Sequence, residues 1–195
     1  MEEKDILVLD IETKNTFQEV RENNFDALEV SLIGLYSYGQ VKFFAFDENE
    51  IAVGMEMIKN AGMIIGFSIS RFDLPVLQKH FGESALGGDI FSIPRLDILD
   101  EIEFNLGKRV GLDILAKANL GYGKNGHSLD AGILYREGKI EELKNYCLND
   151  VKITKELYEL AKKQGYLMIP QKGGKEEIKL EIDFNLWQIL TIDKI

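Results

Sequence analysis

Two acidic residues, Asp10 and Glu12, directly follow the apolar run Ile6-Leu7-Val8-Leu9. A short, continuous apolar run is typical of a strand that is buried on both faces. Because side chains alternate across a strand, a spacing of two places both carboxylates on one face if the strand continues. Two like charges side by side repel each other, and a divalent cation between them would remove that repulsion. The alternative is a helix N-cap or a solvated loop, where acidic residues are also common.

Two further carboxylates lie in sequence contexts that are compatible with a functional site or with a purely structural role. Asp73 follows the segment 66–72, where a strand is predicted to end and a helix to begin. Asp is favoured at such a junction as an N-cap. Asp150 comes four residues after Tyr146 on a predicted helix, so the two side chains share one helix face. Taken alone, this pair is equally compatible with the surface of an amphipathic helix.

The ligands that the chain can offer a metal ion are mainly oxygen atoms. It has one cysteine, Cys147, and two histidines, His80 and His127, against 33 Asp and Glu residues. Neither an internal disulfide nor a cysteine zinc cluster can form. Oxygen ligands favour Mg²⁺ or Mn²⁺ over zinc. Cys147 lies beside the apolar stripe of its helix and is predicted to be a small core residue.

Hydrophobic periodicity and turn signals predict the elements that would position these residues. Strands are predicted over 6–9, 31–38, 41–46, 63–66 and 95–98, helices over 48–60, 74–81, 112–118, 128–136 and 140–163, and a terminal hairpin over 165–169 and 178–184. The first hairpin would turn at Gly39-Gln40. Strands followed by mixed strands and helices predict an α/β domain with a mixed sheet. We expect a single domain over 1–195, with a core at about 6–163 and a C-terminal hairpin extension at about 165–184.

The net charge and the hydropathy of the sequence limit the kinds of binding partner and the cellular compartment that we expect. The net charge of -10 counts against tight, nonspecific binding to long nucleic acid, but it does not exclude an enzyme that holds a strand end through metal ions. No apolar run reaches the roughly 20 residues that span a bilayer. The acidic start Met1–Asp5 is unlike a secretory n-region. We therefore expect a cytoplasmic protein without a membrane partner.

Three acidic segments, taken in order, resemble the motifs of the DEDD exonuclease superfamily, and in particular the proofreading domains of family-B DNA polymerases. They are Leu9-Asp10-Ile11-Glu12-Thr13, the segment Gly66 through Pro75 with its Phe-Asp-Leu-Pro run, and Tyr146-Cys147-Leu148-Asn149-Asp150. A Tyr four residues before the last Asp marks the tyrosine subgroup, DEDDy. The histidine subgroup has His five residues before that Asp, where this chain has Asn145. The resemblance runs from about Ile6 to Ala161.

The resemblance implies a ribonuclease H-like fold and a metal-dependent 3′–5′ exonuclease. Such an enzyme releases nucleoside 5′-monophosphates from the 3′ end of nucleic acid, here expected to be single-stranded, by hydrolysis with two Mg²⁺ or Mn²⁺ ions. Asp10, Glu12 and Asp150 would hold the ion that generates the attacking hydroxide. Asp10 would bridge to the second ion, and Asp73 would complete that second site. Tyr146 would orient the attacking water.

The second motif also implies two contacts with substrate, through Ser68 and Phe72. The family usually carries Asn five residues before the Asp of this motif, and this chain has Ser68 there. Serine is shorter and cannot form both hydrogen bonds of an amide. The departure affects the positioning of substrate and not the metal ligands.

Several other polar residues admit both a structural and a functional interpretation. The glycine-rich segment 121–128 fails the P-loop pattern, and we interpret it as a loop. It could still border a substrate groove together with Lys117 and its own Lys124. Arg71 could contact a phosphate or simply be solvated. Asp97, at the end of a predicted strand, would be either a cap or a residue that supports the ligands.

Two other functions remain open from the sequence. One is a catalytically weak module that binds nucleic acid or a partner protein, which Ser68 and the acidity favour. The other is a phosphoesterase on very short oligonucleotides, which the absence of a basic surface favours. The complete set of four carboxylates together with Tyr146 counts against a binding module, because binding alone does not require like charges to be held together.

Overall fold

A computed structural model describes residues 4–20, 24–82, 88–124, 128–171 and 177–182. Short 3-10 turns cover Phe25–Ala27 and Ile90–Ser92. The longer elements, in chain order, are β1 (Ile6–Thr13), β2 (Val30–Ser37), β3 (Lys42–Asp47), α1 (Ile51–Lys59), β4 (Met63–Gly66), α2 (Asp73–Gly82), β5 (Arg95–Asp97), α3 (Ile98–Leu106), α4 (Leu112–Leu120), α5 (Ser128–Arg136), α6 (Ile140–Gln164), β6 (Tyr166–Pro170) and β7 (Glu177–Glu181).

Five strands form one mixed sheet in the order β3-β2-β1-β4-β5. β1 pairs antiparallel with β2 and parallel with β4, while β2–β3 is antiparallel and β4–β5 is parallel. β6 and β7 form a separate antiparallel pair. A mixed five-stranded sheet flanked by helices confirms the predicted α/β class and is consistent with a ribonuclease H-like domain.

The central strand β1 separates two hydrophobic layers. Leu7, Leu9 and Ile11 belong to the layer that includes α1 and α2, whereas Val8 belongs to the layer that includes α6. Each aliphatic side chain that is fully buried in this way contributes about 1.5–3 kcal/mol. By the same alternation, Asp10 and Glu12 share the face of Val8, so β1 presents them toward α6.

Close packing of α6 on the sheet depends on Gly34 of β2. Gly34 is the cross-strand partner of Asp10. A Cβ atom at this position would lie 2.6 Å from Cys147 Sγ and 3.1 Å from Val151 Cγ2, both on α6. The absent side chain therefore lets α6 approach the part of β1 that carries the carboxylates.

Two details differ from the sequence predictions. Helix α3 was not predicted, because it begins directly after a strand, at Ile98, a residue that the predicted strand 95–98 included. Asp97 caps its N-terminus, and Gly107 ends it in the left-handed conformation at φ 63°. The β2–β3 link is also longer than the predicted Gly39-Gln40 turn. β2 ends at Ser37 and β3 begins at Lys42, with the intervening Val41 at φ 52°.

The C-terminal hairpin was predicted over 165–169 and 178–184, and β6 and β7 cover 166–170 and 177–181. Its predicted turn at Gly173-Gly174 and the residues after 182 lie outside the described part of the chain. Within the described residues, no helix combines the length and the apolar character that a membrane crossing requires.

We predict that Gly34→Ala lowers the free energy of unfolding by about 1–3 kcal/mol, because its methyl group would overlap the buried Cys147 and press on Val151. Urea unfolding would measure this. The double variant Gly34→Ala/Cys147→Ala should recover part of the loss, since it removes the nearer atom. Gly111→Ala is the matched control, because a Cβ there meets nothing within 4 Å. Equal stability of the Gly34 and Gly111 variants would contradict this account of the packing.

Candidate active site

Three separate elements bring the four predicted carboxylates to one edge of the sheet. Asp10 and Glu12 lie in the second half of β1, Asp73 is the first residue of α2, and Asp150 lies within α6. Because β1 and β4 are parallel, the loop that leaves the carboxyl end of β4 delivers Asp73 beside the carboxyl end of β1. Asp73 Oδ1 accepts a hydrogen bond from the backbone N–H of Ile11 at 3.0 Å. All four side chains thus share one electrostatic environment.

Burial and neighbouring carboxylates raise the pKa values of this cluster. Burial raises the pKa of Asp10 well above its ordinary value, and the charges of Asp150, Glu12 and Asp73 raise it further. Burial and then Asp150 do the same to the pKa of Glu12. Burial raises the pKa of Asp73 to about 7, against the opposing effect of the Ile11 N–H. In the absence of a cation, the site therefore favours carboxyl groups that hold protons.

Lys124 contributes one positive charge to this cluster. Its ammonium forms an ion pair with Asp150 Oδ2 and lies 5.9 Å from the centre of the Tyr146 ring. Burial lowers the pKa of Lys124, but Asp150, Asp10 and Glu12 outweigh that effect and raise it above its ordinary value. Lys124 is thus a cation at neutral pH. The sequence placed it only at the border of a groove, because a lysine in a glycine-rich loop carries no periodic signal.

Cys147 contacts the carboxylates as well as the core. It is fully buried, as predicted, but its Sγ also lies 3.4 Å from Asp10 Oδ2 and 3.6 Å from the Asp10 carbonyl oxygen. Burial and the nearby charges of Asp10 and Glu12 raise the thiol pKa well above its ordinary value. The thiol therefore keeps its proton and donates toward Asp10. One ligand atom each from Asp10, Glu12 and Cys147 lie within 4.8 Å of one another.

The donor set fits a hard divalent cation. Four carboxylates face a single lysine, and one oxygen, Asp150 Oδ1, is buried without a hydrogen-bond partner in the described part of the chain. A buried, unpartnered carboxylate oxygen is costly unless a cation or a donor satisfies it. Carboxylate oxygens are the ligands that Mg²⁺ and Mn²⁺ prefer. The residues present are therefore suited to hold such ions.

Tyr146 and the loop before α2 border the carboxylates. Tyr146 lies one helical turn before Asp150 and is buried with Leu143 and Cys147. Ser68 adopts φ 66°, a left-handed conformation that Asn tolerates better than Ser. Phe72 is half-buried, since it packs against the core and meets Phe17 edge-on at 5.9 Å.

The other polar residues singled out in the sequence have structural partners. Arg71 pairs with Asp100 at 3.3 Å and with Glu103 at 2.8 Å, and Lys117 pairs with Asp113 at 2.6 Å. These contacts agree with the structural interpretation of both residues. The side chains of residues 125–130, including His127, lie outside the described residues.

Comparison with known proteins identifies a structural neighbour. No family model and no curated protein matches the sequence. The solved structure of the family B DNA polymerase from the hyperthermophilic archaeon Pyrobaculum calidifontis is similar over 82% of this chain, with a TM-score of 0.62 and 19% sequence identity. The match covers 24% of the polymerase chain. The chain therefore shares its fold with part of a family B DNA polymerase and spans about a quarter of that protein's length.

We predict that Asp73→Asn stabilises the metal-free protein above neutral pH. The pKa of Asp73 rises from 3.8 to about 7 on folding, so its contribution to stability is full below about pH 4 and is lost as pH rises through about 7. An amide does not ionise and escapes this loss. With about 1.4 kcal/mol for each pH unit, the variant should gain on the order of 4 kcal/mol over wild type at about pH 8.

Urea unfolding in chelator at about pH 5, 6.5 and 8 would measure this gain. The exposed Asp26→Asn is the control and should show no such trend. A stability difference between Asp73→Asn and wild type that stayed constant across this pH range would contradict the raised pKa.

Proposed function

We propose that the chain is a metal-dependent 3′–5′ exonuclease of the DEDDy type, which releases nucleoside 5′-monophosphates from nucleic acid ends by two-metal-ion hydrolysis. One observation carries the proposal. Four carboxylates from β1, α2 and α6 converge on one edge of the sheet, with Tyr146 beside them. Because mutual repulsion and burial make this arrangement unfavourable on its own, a catalytic use of bound cations is the best reason for it.

In this proposal Asp10, Glu12 and Asp150 hold one divalent ion, and Asp10 and Asp73 hold the other. Such ions supply a hydroxide at neutral pH and stabilise the charge that develops on the leaving oxygen. The chain prepares this site through its own hydrogen bonds. The Ile11 N–H orients Asp73, and the Cys147 thiol approaches the carboxylate of Asp10.

Tyr146 acts on the attacking water through its hydroxyl group. A free tyrosine has a pKa of about 10, so the role proposed for this hydroxyl is to orient the water rather than to deprotonate it. Its ring is held by packing against Leu143 and Cys147, which limits the positions that the hydroxyl can adopt. The protonated Lys124, which lies in the loop after α4 and pairs with Asp150, is proposed to balance negative charge at the phosphate.

The substrate end is proposed to lie against the loop before α2. Ser68 and the half-buried Phe72 are in this loop, directly before Asp73, so an unpaired nucleotide could contact an aromatic ring next to the carboxylates. The net charge of -10 weakens attraction to a long phosphate backbone. It is compatible with an enzyme that holds only a terminal nucleotide through its ions. A single-stranded 3′ end is therefore the proposed substrate.

The same acidity favours one second candidate, a phosphoesterase on very short oligonucleotides. Turnover on an end-labelled single strand, on a duplex with a recessed 3′ end and on a dinucleotide would separate the two functions. An exonuclease should degrade the long single strand stepwise to 5′-monophosphates. Efficient cleavage of the dinucleotide alone would favour the phosphoesterase. Binding without hydrolysis of any of the three would favour the binding module.

We predict that hydrolysis requires added Mg²⁺ or Mn²⁺ and that Asp10→Ala lowers kcat by roughly a thousandfold or more. Asp10 is proposed to contact both ions, so its loss removes several kcal/mol of transition-state stabilisation. Release of labelled mononucleotide in matched magnesium and chelator buffers would measure both effects. The exposed Asp26→Ala is the control. A folded Asp10→Ala protein within about tenfold of wild type, or full activity in chelator, would refute the assignment.

We predict that Tyr146→Phe is milder than Asp150→Ala. The phenylalanine ring keeps the packing against Leu143 and deletes only the hydroxyl, so kcat should fall by at most about a hundredfold with metal affinity retained. Asp150→Ala removes a ligand and leaves Lys124 without its counter-charge, so it should lose both turnover and metal affinity. The metal concentration at half-maximal activity would distinguish the two variants. Loss of metal affinity in Tyr146→Phe would contradict this division of roles.

A further inference from the structure

Asp97 is a buried carboxylate that joins two separate backbone segments. It is the last residue of β5 and is 4% exposed. Its Oδ1 accepts a hydrogen bond from the N–H of Leu99 at 3.0 Å, within the first turn of α3. Oδ1 also accepts from the N–H of Ser68 at 2.7 Å, and Oδ2 accepts from the N–H of Ser70 at 2.9 Å.

Capping of α3 explains only part of this arrangement. A cap needs one side-chain oxygen and the donors of its own helix, which for Asp97 are the N–H groups of Leu99 and Asp100. The bonds from Ser68 and Ser70 reach a segment more than 25 residues earlier in the chain. No Lys or Arg among the described residues forms an ion pair with Asp97. The hydrogen bonds that Asp97 accepts within the described residues therefore come from backbone N–H groups, while the charge of Arg71 acts on it without direct contact.

The segment that Asp97 holds is the loop 67–72, which leads directly into the proposed metal ligand Asp73. Ser68 in this loop adopts φ 66°, a conformation that an L residue keeps only when its surroundings impose it. The side chain of Ile69 folds back over Gly66, where an added Cβ would collide with it. Leu74 N–H then donates to Ile69 O at 2.9 Å and starts α2. The position of Asp73 thus follows from the position of the loop.

We propose that Asp97 is a positioning residue for the metal site. By accepting hydrogen bonds from Ser68 and Ser70, it fixes the loop 67–72 against the end of β5 and so places Asp73 at the carboxyl end of β1. The inference rests on the proposed function, because it assigns a role relative to ions that Asp73 would hold. It adds a residue that contacts neither ion nor substrate.

The substitution Asp97→Ser separates the capping of α3 from the hydrogen bonds that hold the loop 67–72. Serine is a good N-cap, so α3 keeps its first-turn hydrogen bond, but a single short hydroxyl cannot accept from both Ser68 and Ser70. Asp89→Ser is the matched control, since Asp89 caps the short 3-10 turn at Ile90–Ser92 by accepting from Phe91 N–H. Asp97→Asn, which keeps the shape of the side chain, serves as a second variant if Asp97→Ser does not fold.

Each folded protein is titrated with Mn²⁺ in a calorimeter at about 25 °C. Its thermal midpoint of unfolding and its kcat and KM are measured on the same preparation. We expect one of two binding events in Asp97→Ser to weaken by about 10- to 100-fold, as for other residues that orient ligands. The other event and KM should be retained, and excess Mn²⁺ should restore most of kcat. Asp89→Ser should bind as wild type does.

Three results would overturn the inference, and they are distinguishable. If wild type binds two ions and the Asp97 and Asp89 variants bind equally well, Asp97 is only a cap, and the proposed function stands. If wild type binds no Mn²⁺ and hydrolyses no substrate, the proposed function fails and the role of Asp97 fails with it. A thermal midpoint that falls without a change in metal affinity also assigns Asp97 a purely structural role.

Discussion

The crowding of four carboxylates, two of them buried and two partly buried, is the constraint on which the rest of the site depends. Burial raises the pKa of each of Asp10, Glu12, Asp73 and Asp150, and for Asp10 and Glu12 the neighbouring carboxylates raise it further, so the cluster is unfavourable without a cation. Burial of apolar side chains on both faces of β1 offsets the cost of this cluster. The free energy of that burial is large compared with any one electrostatic contribution. A stable scaffold that carries an unfavourable cluster is what a functional site requires.

The scaffold reduces the repulsion at identifiable points. Lys124 neutralises part of the charge of Asp150, and the Ile11 N–H stabilises the carboxylate of Asp73. The missing side chain of Gly34 lets α6 approach β1 closely, so that a residue of the longest helix meets residues of the central strand. Each contact joins elements that are separate in sequence, and the cluster therefore depends on tertiary structure.

The sequence predicted the fold class, the central strand and the shared face of Asp10 and Glu12, because these follow from a strong local pattern. It did not predict helix α3, whose start depends on the cap by Asp97, or the place of Lys124, which depends on the path of an irregular loop. Gly34 carried no signal either, since a close approach between a strand and a helix is a tertiary property. Residues that contact partners distant in sequence were thus the ones that sequence reasoning missed.

Electron paramagnetic resonance of the protein with two equivalents of Mn²⁺ would test whether the four carboxylates together hold two divalent ions. Two Mn²⁺ ions that share a carboxylate lie roughly 3.5–4 Å apart and give a spin-coupled spectrum. We expect that coupled spectrum for the wild-type protein and its loss in Asp10→Ala, which removes the shared ligand. A spectrum of isolated or free Mn²⁺ in the folded wild-type protein would contradict it.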